Sequence, residues 1–277
     1  MMTVLTIAGF DPSSGAGISA DLKVFAAHGL YGTACITALT VQNTLGVAAT
    51  HPISADTITA TLQNLQGDLP SAGIKIGMLA TPEAVSATAA FLREIRQEAL
   101  VPVVLDPVFK SSSGKHLLNM DGIERLRKEL LPIVDWITPN LDETAVLLER
   151  DLIAPAEISQ AAAKLQRLGT GLTVVVTGGH QIPPNDLVLQ PNSLPHVLVG
   201  QYIASSAIHG TGCAFSSALL SRLVLGDAPM VAAQAAKEYV ATAIRLAGVI
   251  GHGHGPLNHL WPLQRRASTP HDPKRPS

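Results

Sequence analysis

Hydrophobic and polar positions follow two rhythms along the chain, short β-branched runs and longer runs with a helical period. Strands are predicted for the short runs TVLTIAG, TACITALTV, GIKIGML, VPVVLDPV, VDWITPN and LTVVVTGGH. The run VPVVLDPV is almost continuously apolar, as is typical of a strand covered on both faces of a parallel sheet. Because strands and helical runs alternate, the pattern predicts an α/β fold with a mostly parallel sheet.

The helical runs carry start and stop signals. In AGISADLKVFAAHG, the residues Ile18, Leu22 and Phe25 fall on one helix face, and Gly29 ends the helix. Further helices are predicted in PEAVSATAAFLREIRQEA, GIERLRKELLP, LDETAVLLER, EISQAAAKLQRLG, CAFSSALLSRLVLG and MVAAQAAKEYVATAIRLAG. Residues 181–206 are rich in proline and asparagine and predict one or two hairpins that end in edge strands.

Together these elements predict a single three-layer domain over residues 1–261, with helices on both faces of the sheet. No internal repeat and no shift in composition marks a second domain. The tail over residues 262–277 is charged and rich in proline, which predicts disorder.

Composition excludes several classes of function. Hydrophobic residues make up 47% of the 277 positions and charged residues 14%, so a large core is available. The net charge of −2 provides no basic field of the kind that nucleic-acid binding needs. No apolar run reaches the roughly 18 residues of a membrane span, and the short apolar start lacks the basic residues of a signal peptide. With only two cysteines, we expect a cytoplasmic protein without disulfides.

Polar and glycine-rich segments follow almost every predicted strand. Because ligands bind beyond the carboxyl ends of parallel strands, these segments predict one active site along that edge of the sheet. A single such loop would be read as a turn, but their convergence on one edge favours function. The segments are GFDPSSGAG, QNT, GML, DPVFKSSSG, TPNLDE, TGGH and HGTGC.

The segment HGTGC leads directly into a predicted helix and outlines an anion hole. The first N–H groups of a helix have no internal partner, and the helix dipole adds positive charge there. Gly210, Thr211 and Gly212 would let a phosphate approach the backbone closely. At such a helix start Cys213 is expected to have a depressed pKa and to act as a base toward a substrate hydroxyl. The alternative is that Cys213 is a small buried apolar residue.

Acidic residues suit a magnesium–nucleotide complex. Asp106 ends a buried strand, and Asn140 and Glu143 lie three positions apart at a helix start. Mg²⁺ uses few protein ligands and keeps phosphate oxygens and waters, so sparse acids beside an anion hole fit phosphoryl transfer. Asn140 and Glu143 could equally form a helix capping arrangement.

The segment GHGHGPLNH invites a metal interpretation through His252, His254 and His259. Their spacing does not match a known zinc pattern, and the glycines provide no rigid scaffold. A structural loop is the prediction.

These segments together resemble the hydroxymethylpyrimidine/phosphomethylpyrimidine kinases of thiamine biosynthesis, within the ribokinase-like superfamily. TIAGFDPSSGAGISADLKVFAAHGLYGTACITALTVQNTLGV is similar to the family's N-terminal signature, and KIGML, VLDPV, ITPNLDE, GGH, HGTGC and GHGHGPLNH follow in family order. The resemblance extends to about Trp261. It implies an ATP- and Mg²⁺-dependent phosphotransferase, a homodimer, that phosphorylates 4-amino-5-hydroxymethyl-2-methylpyrimidine and then its monophosphate.

The resemblance also implies roles for individual residues. Gln42 matches the residue that hydrogen-bonds the aminopyrimidine, and Asp21, Gly9 and Met78 match other substrate-pocket positions. Catalytic roles fall on Gly210, Thr211 and Gly212 as the anion hole and on Cys213 as the base. The nucleotide side comprises Asp106, Asn140, Glu143, Thr177 and Lys237, with Asp106 and Glu143 on the metal.

Several positions depart from the family pattern. Phe10 and Ser14 replace a small hydroxyl residue and a glycine. Thr177, and the stretch around Ser205, lack lysines that help to hold nucleotide phosphates, and Ile208 replaces a threonine. Each lost charge-assisted contact costs about 1.5–3 kcal/mol.

These departures keep alternatives open. A pyridoxine or pyridoxal kinase uses the same fold on a similar heteroaromatic alcohol. A weakly active pyrimidine-binding sensor would explain the missing lysines. Lys110 or Lys115, in the segment after Asp106, could compensate for those lysines.

Overall fold

The computed structural model describes residues 1–111, 113–179 and 181–267. Its strands are β1 Thr3–Phe10, β2 Tyr31–Asn43, β3 Gly46–Pro52, β4 Ile74–Ile76, β5 Val103–Leu105, β6 Trp136–Ile137, β7 Thr173–Val176, β8 Asp186–Leu189 and β9 His196–Leu198. Its α-helices are α1 Gly17–Ala27, α2 Ala55–Asp68, α3 Pro82–Glu98, α4 Met120–Arg125, α5 Leu141–Leu147, α6 Ile158–Gln166, α7 Thr211–Val224, α8 Pro229–Arg245 and α9 Trp261–Ala267. A π-helical segment, Leu126–Leu130, continues α4.

The strands form one sheet in the order β3-β2-β1-β4-β5-β6-β7-β8-β9. The pairs from β2 through β1 and β4 to β7 are parallel, whereas β3, β8 and β9 pair antiparallel at the two edges. The predicted class, a mostly parallel sheet with edge hairpins, is confirmed. The carboxyl ends of the parallel strands therefore lie along one edge, where the polar segments are.

Two apolar layers cover the sheet. Along β5, Val103 and Leu105 face one layer and Val104 faces the other, which explains the continuous apolar run. The first layer is built by α2 to α6, and the second by α1, α7 and α8. In the described residues no helix is long and apolar enough to cross a membrane.

Three elements differ from the sequence predictions. β3 and α2 were not predicted, although Ser54 caps α2 and Ile58 and Leu62 bury one face of it. Residues 261–267 form α9, where the sequence predicts the start of a disordered tail. The rest of that tail, 268–277, and His180 of the GGH segment lie outside the described residues.

A buried ion pair ties the sheet to the second layer. Lys75 on β4 lies 3.0 Å from the Asp21 carboxylate on α1, and both side chains are 0% exposed. Thr6 and Ser217 donate to the same carboxylate at 2.6 Å and 2.7 Å. Burial disfavours the charge of Lys75, but the negative charges of Asp21 and Asp106 outweigh it and raise the pKa of Lys75. Four elements, β1, α1, β4 and α7, are held together here.

The change Asp21→Asn should lower the free energy of unfolding by about 3 kcal/mol, because Lys75 would stay buried without a counter-ion. Urea denaturation at neutral pH measures this loss. The matched control is Asp121→Asn, since Asp121 pairs with Arg125 at 3.6 Å and is 60% exposed. That variant should lose less than about 1 kcal/mol. Equal losses in the two variants would contradict the role given to the buried pair.

Candidate active site

The N-terminus of α7 has no side-chain cap. Gly210 occupies the N-cap position with a left-handed φ of 86°, and no acidic residue lies in the first turn. A Cβ at Gly210 would overlap the carbonyl oxygen of Gly15, so only glycine fits there. The first N–H groups of α7, from Thr211 and Gly212 onward, are therefore left for an anion. The structure brings the predicted anion-hole residues together at one helix end.

Cys213 lies in the first turn of α7, against buried charged groups. Its thiol lies close enough to the Asp106 carboxylate and the Gly17 N–H for both to act on its pKa. Burial raises the pKa of the Cys213 thiol to about 12, although the positive charge of Lys75 acts to lower it. The expectation of a depressed pKa is therefore wrong, because burial and nearby carboxylates outweigh the helix dipole. The side chain itself stays partly exposed.

Asp106 follows β5 and is 3% exposed. Ser216 on α7 donates to it at 3.2 Å, and its oxygens lie 3.7 Å from where a Cβ of Gly212 would be. Burial raises the pKa of Asp106 despite the opposing charge of Lys75. Asp106 therefore lies directly beside the uncapped N-terminus of α7.

Asn140 and Glu143 form a capping box at the start of α5. The Asn140 side chain accepts from the Glu143 N–H, and the Glu143 carboxylate accepts from the Asn140 N–H, each at 2.9 Å. Burial, and then the negative charge of Asp106, raise the pKa of Glu143 well above its usual range. Glu143 therefore caps α5 and also lies close enough to Asp106 for that charge to affect its pKa. Asp106 and Glu143 are buried carboxylates close enough for one to raise the pKa of the other. Such a pair favours the binding of a hard cation.

The predicted substrate cluster consists of Gly9 and Gln42, near the ends of the neighbouring strands β1 and β2, and of Met78, which follows β4. A Cβ at Gly9 would lie 2.8 Å from the Met78 sulfur, so the two residues touch. Gln42 lines a cleft of about 430 Å³ at the β2–β3 turn, together with Ser113. A second cleft of about 440 Å³, between α5 and α6, contains none of the predicted site residues.

Asp21 does not join this cluster. Its carboxylate is 0% exposed and accepts hydrogen bonds from Thr6, Lys75 and Ser217. The direct substrate contact implied by the resemblance is therefore not available to Asp21. It lies beneath the site and holds Lys75 near Cys213 and Asp106.

On the nucleotide side, Thr177 and Lys237 are tied to neighbouring backbone. The Thr177 N–H donates to Pro139 at 2.8 Å. Lys237 donates to Asp186 at 2.7 Å, and Asp186 also accepts from the Gly178 N–H at 2.9 Å. The Lys237 ammonium is thus held by an ion pair with Asp186. The same carboxylate also binds the backbone of Gly178, the residue that follows Thr177.

The two lysines that could compensate for missing cations lie elsewhere. Lys115 donates to the Ala48 carbonyl on β3 at 2.6 Å. Lys110 is exposed and pairs through its backbone with His116. Neither contacts a predicted site residue through the interactions described here.

Three further residues lie at the site without any role predicted from the sequence. Lys75 belongs to a predicted strand, and Asp11 and His209 belong to two of the polar segments. Asp11 accepts from the Ser13 N–H at 2.8 Å, a turn signal that D-x-S already carries. His209 contacts both Asp11 and Gln42, across 198 and 167 positions of chain, which no local pattern reveals.

The histidine-rich segment forms a loop that supports these elements. His252 and His254 are exposed, whereas His259 is buried and its Nε2 lies 3.1 Å from the Gly15 carbonyl oxygen. The Gly253 N–H donates to Thr44 beside the β2–β3 turn at 3.3 Å. Within the part of the chain that is described, no three His, Cys, Asp or Glu side chains converge on a metal position.

Known proteins resemble this chain over almost its full length. The profile of the phosphomethylpyrimidine kinase family matches residues 11–258. A hydroxymethylpyrimidine/phosphomethylpyrimidine kinase from Haemophilus influenzae is 40% identical over 267 residues, which cover 95% of this chain and 97% of the relative. The structure of Bacillus subtilis pyridoxal kinase with ADP has a TM-score of 0.85 and 33% identity, covering 94% of this chain and 97% of its own. Phosphomethylpyrimidine kinase from Clostridium difficile 630 has a TM-score of 0.75 and 33% identity, covering 88% and 100%.

The raised pKa of Cys213 predicts a slow thiol. In a Cys35→Ala background at pH 7.5, iodoacetamide should modify Cys213 about 10²-fold more slowly than free cysteine, because little thiolate is present. The rate should rise about tenfold per pH unit from pH 7 to 10. Mass spectrometry follows the reaction, with Cys35→Ala/Cys213→Ala as the blank. A rate as fast as free cysteine, level above pH 8, would show that the helix dipole dominates after all.

Proposed function

The chain belongs to the phosphomethylpyrimidine kinase family, and from that premise we propose that it transfers the γ-phosphate of ATP to the hydroxymethyl group of 4-amino-5-hydroxymethyl-2-methylpyrimidine. A second transfer to the monophosphate follows, in thiamine biosynthesis. The observation that carries this proposal is the uncapped N-terminus of α7, which lies beside Asp106 and directly follows His209, a contact of Gln42. The matching family and the Haemophilus influenzae relative are both named as kinases of this pyrimidine phosphate, which supports the proposal.

Phosphoryl transfer depends on positioning and on stabilising negative charge. The γ-phosphate oxygens would accept hydrogen bonds from the free N–H groups of α7, beginning at Thr211. The helix dipole and the nearby Lys75 ammonium favour the charge that develops there. Because Gly210 and Gly212 carry no side chains, they add no bulk between a phosphate and this backbone.

Mg²⁺ fits the donor set on the other side of the phosphate position. Asp106 and Glu143 would hold it through their carboxylate oxygens, since a hard cation needs few protein ligands. When bound, the ion supplies positive charge that neutralises the transferring phosphate.

The substrate hydroxyl must lose its proton as the oxygen–phosphorus bond forms. Cys213 is protonated at neutral pH, so it can accept that proton only by passing on its own. The Asp106 carboxylate is close enough to act on the pKa of the thiol, so one of its oxygens would receive the proton while the other faces the cation. One proton moves from the hydroxyl to Cys213 and one from Cys213 to Asp106. In a loose transition state this transfer comes late, when the attacking oxygen has become acidic.

Pyridoxal is the second candidate substrate. A specific observation favours it, because Bacillus subtilis pyridoxal kinase has the higher TM-score, 0.85 against 0.75 for the Clostridium difficile enzyme. Phe10 lies at the end of β1 and is 36% exposed, beside the substrate cluster. Its ring could stack on either heteroaromatic substrate.

Assembly and location complete the proposal. A homodimer is supported by apolar side chains that are exposed on β2 and its turn, namely Tyr31, Leu39, Val41 and Leu45. Sedimentation equilibrium would reveal it as a doubled mass. Two free cysteines fit a reducing cytoplasm.

The substrate proposal predicts that the purified chain with Mg-ATP phosphorylates the aminopyrimidine with a kcat/KM at least tenfold above that for pyridoxal. Coupled detection of ADP and mass spectrometry of the product measure both. Preferential turnover of pyridoxal would reverse the assignment. Tight binding of the aminopyrimidine in calorimetry, with no phosphate transfer at saturating Mg-ATP, would instead identify a sensor.

Cys213→Ala should lower kcat by about 10²–10⁴-fold, because the proton acceptor is removed. Its stability should change by no more than about 1 kcal/mol. Cys35→Ala is the matched control, since Cys35 is buried in the core away from the site and should keep its kcat. Full activity in Cys213→Ala would remove Cys213 from the mechanism.

A further inference from the structure

Asp11 is a buried carboxylate surrounded by donors. It is 3% exposed and accepts from the Ser13 N–H, the Ser13 hydroxyl and the Ala16 N–H at 2.8 Å, 2.7 Å and 2.9 Å. The Gly15 N–H adds a longer bond of 3.2 Å. Burial opposes its charge, but hydrogen bonds from His209 and Ser13 outweigh this and hold the pKa of Asp11 below its usual value. Asp11 is therefore an ionised group that can only accept hydrogens.

This carboxylate decides which nitrogen of His209 carries a hydrogen. Nε2 of His209 lies 2.8 Å from an Asp11 oxygen, and the histidine is 8% exposed. Because Asp11 only accepts, Nε2 must bear the hydrogen and donate it. The ring packs against Gly15, where any Cβ would overlap it, so it cannot easily turn away.

The same Nε2 contacts Gln42, and this contact restricts the Gln42 amide. As placed, the amide Nε2 lies 3.1 Å from His209 Nε2 and the amide Oε1 lies 3.2 Å from the Thr40 hydroxyl, an orientation that sets nitrogen against nitrogen. A nitrogen that already carries a hydrogen cannot accept another from the amide NH₂. The amide carbonyl oxygen must therefore face His209, because the alternative sets two donors against each other.

Thr40 gives the same answer independently. Its hydroxyl lies 2.9 Å from the Phe10 carbonyl oxygen, which can only accept, so the single hydroxyl hydrogen is used there. The Thr40 oxygen is then an acceptor for the Gln42 NH₂. Both neighbours thus select one orientation, which hydrogen bonds decide because amide oxygen and nitrogen are nearly equal in size.

We propose that Asp11 and His209 are positioning residues that fix the orientation of the Gln42 amide and thereby make the site selective for a ring with an amino group beside a ring nitrogen. The inference rests on the proposed function and deepens it. Gln42 keeps one carbonyl lone pair and one N–H free, side by side. The aminopyrimidine offers the matching pair, an amino donor next to a nitrogen acceptor. Pyridoxal has no amino group next to its ring nitrogen.

The orientation also governs which way the substrate ring points. A rotated amide would present N–H to the amino group and carbonyl to the ring nitrogen, both repulsive pairings. With the amide fixed, only one placement of the ring edge satisfies both hydrogen bonds. The 5-hydroxymethyl group then points in a single direction. His209 immediately precedes Gly210, so the same residue that orients the substrate amide adjoins the phosphate position on α7.

Three variants of the full-length protein test this inference. His209→Leu removes the donor, His209→Gln restores an N–H near the Nε2 position, and His196→Leu is a matched control at an exposed position on β9. We expect His209→Leu to raise the KM for the aminopyrimidine at least tenfold. The KM for ATP and the kinetic constants for pyridoxal should change less than about twofold. The Tm should change by only a few degrees. His209→Gln should recover most of the loss, and His196→Leu should match the wild type.

Two kinetic results would overturn the proposal. One is an aminopyrimidine KM within twofold of the wild type in His209→Leu. The other is an equal loss for aminopyrimidine and pyridoxal that His209→Gln does not relieve, which indicates a merely structural role.

A second readout does not depend on substrate or on the folding of a variant. In ¹⁵N-labelled wild-type protein at pH 7.5, the His209 Nε2 resonance should be that of a nitrogen bearing a hydrogen. A bare Nε2 would overturn the inference whatever the enzyme phosphorylates. If the wild type fails to phosphorylate the aminopyrimidine, the proposed function is wrong, and the nitrogen resonance still decides the orientation of the amide.

Discussion

The arrangement of the site depends on one uncapped helix end. Gly210 holds a left-handed conformation against the Gly15 carbonyl, so no side chain can cap α7 from that position. The free N–H groups of α7 then face the carboxyl end of β5, where Asp106 lies. The helix end attracts an anion such as phosphate, whereas the Asp106 carboxylate repels it. Cations near both groups remove this conflict. Lys75 supplies one such charge from within the protein, and the pair of Asp106 and Glu143 suits another from solution.

The buried ion pair explains why this concentration of charge is tolerated. Asp21 neutralises Lys75 and anchors α1, β4 and α7 around the site. The price of this charge is a protonated Cys213, whose thiol pKa is raised by burial. If Cys213 accepts the substrate proton as proposed, the thiol needs a partner for its own proton, and Asp106 lies close enough to act on its pKa. The proposed catalytic chemistry and the stability of the fold thus rest on the same buried groups.

The sequence predicted those features that are encoded locally. The apolar run of β5, the stop at Gly29 and the glycines before α7 each act through neighbouring residues, and the structure has the strand and both helices there. The sequence was less informative where residues far apart in the chain determine the environment of a side chain. Lys75 looks like a polar residue in a strand, and only Asp21, 54 positions away, makes its burial possible.

Cys213 illustrates the same limit within the site. The helix dipole can be inferred from its sequence neighbours, but the surrounding burial and the Asp106 carboxylate come from other strands and reverse the expected direction of its pKa. For Asn140 and Glu143 the sequence is compatible with both capping and metal binding. The structure shows that the cap forms and that Asp106 lies close enough to act on the pKa of Glu143. The substrate and nucleotide roles of the site residues stay predictions.

The most direct measurement is a crystal structure with the aminopyrimidine and a non-hydrolysable ATP analogue bound together with Mg²⁺. The account predicts that the γ-phosphate lies on the first N–H groups of α7, that the hydroxymethyl oxygen reaches Cys213, and that the ring edge pairs with Gln42. A γ-phosphate bound away from α7, or a pyrimidine bound outside the Gln42 cluster, would contradict it.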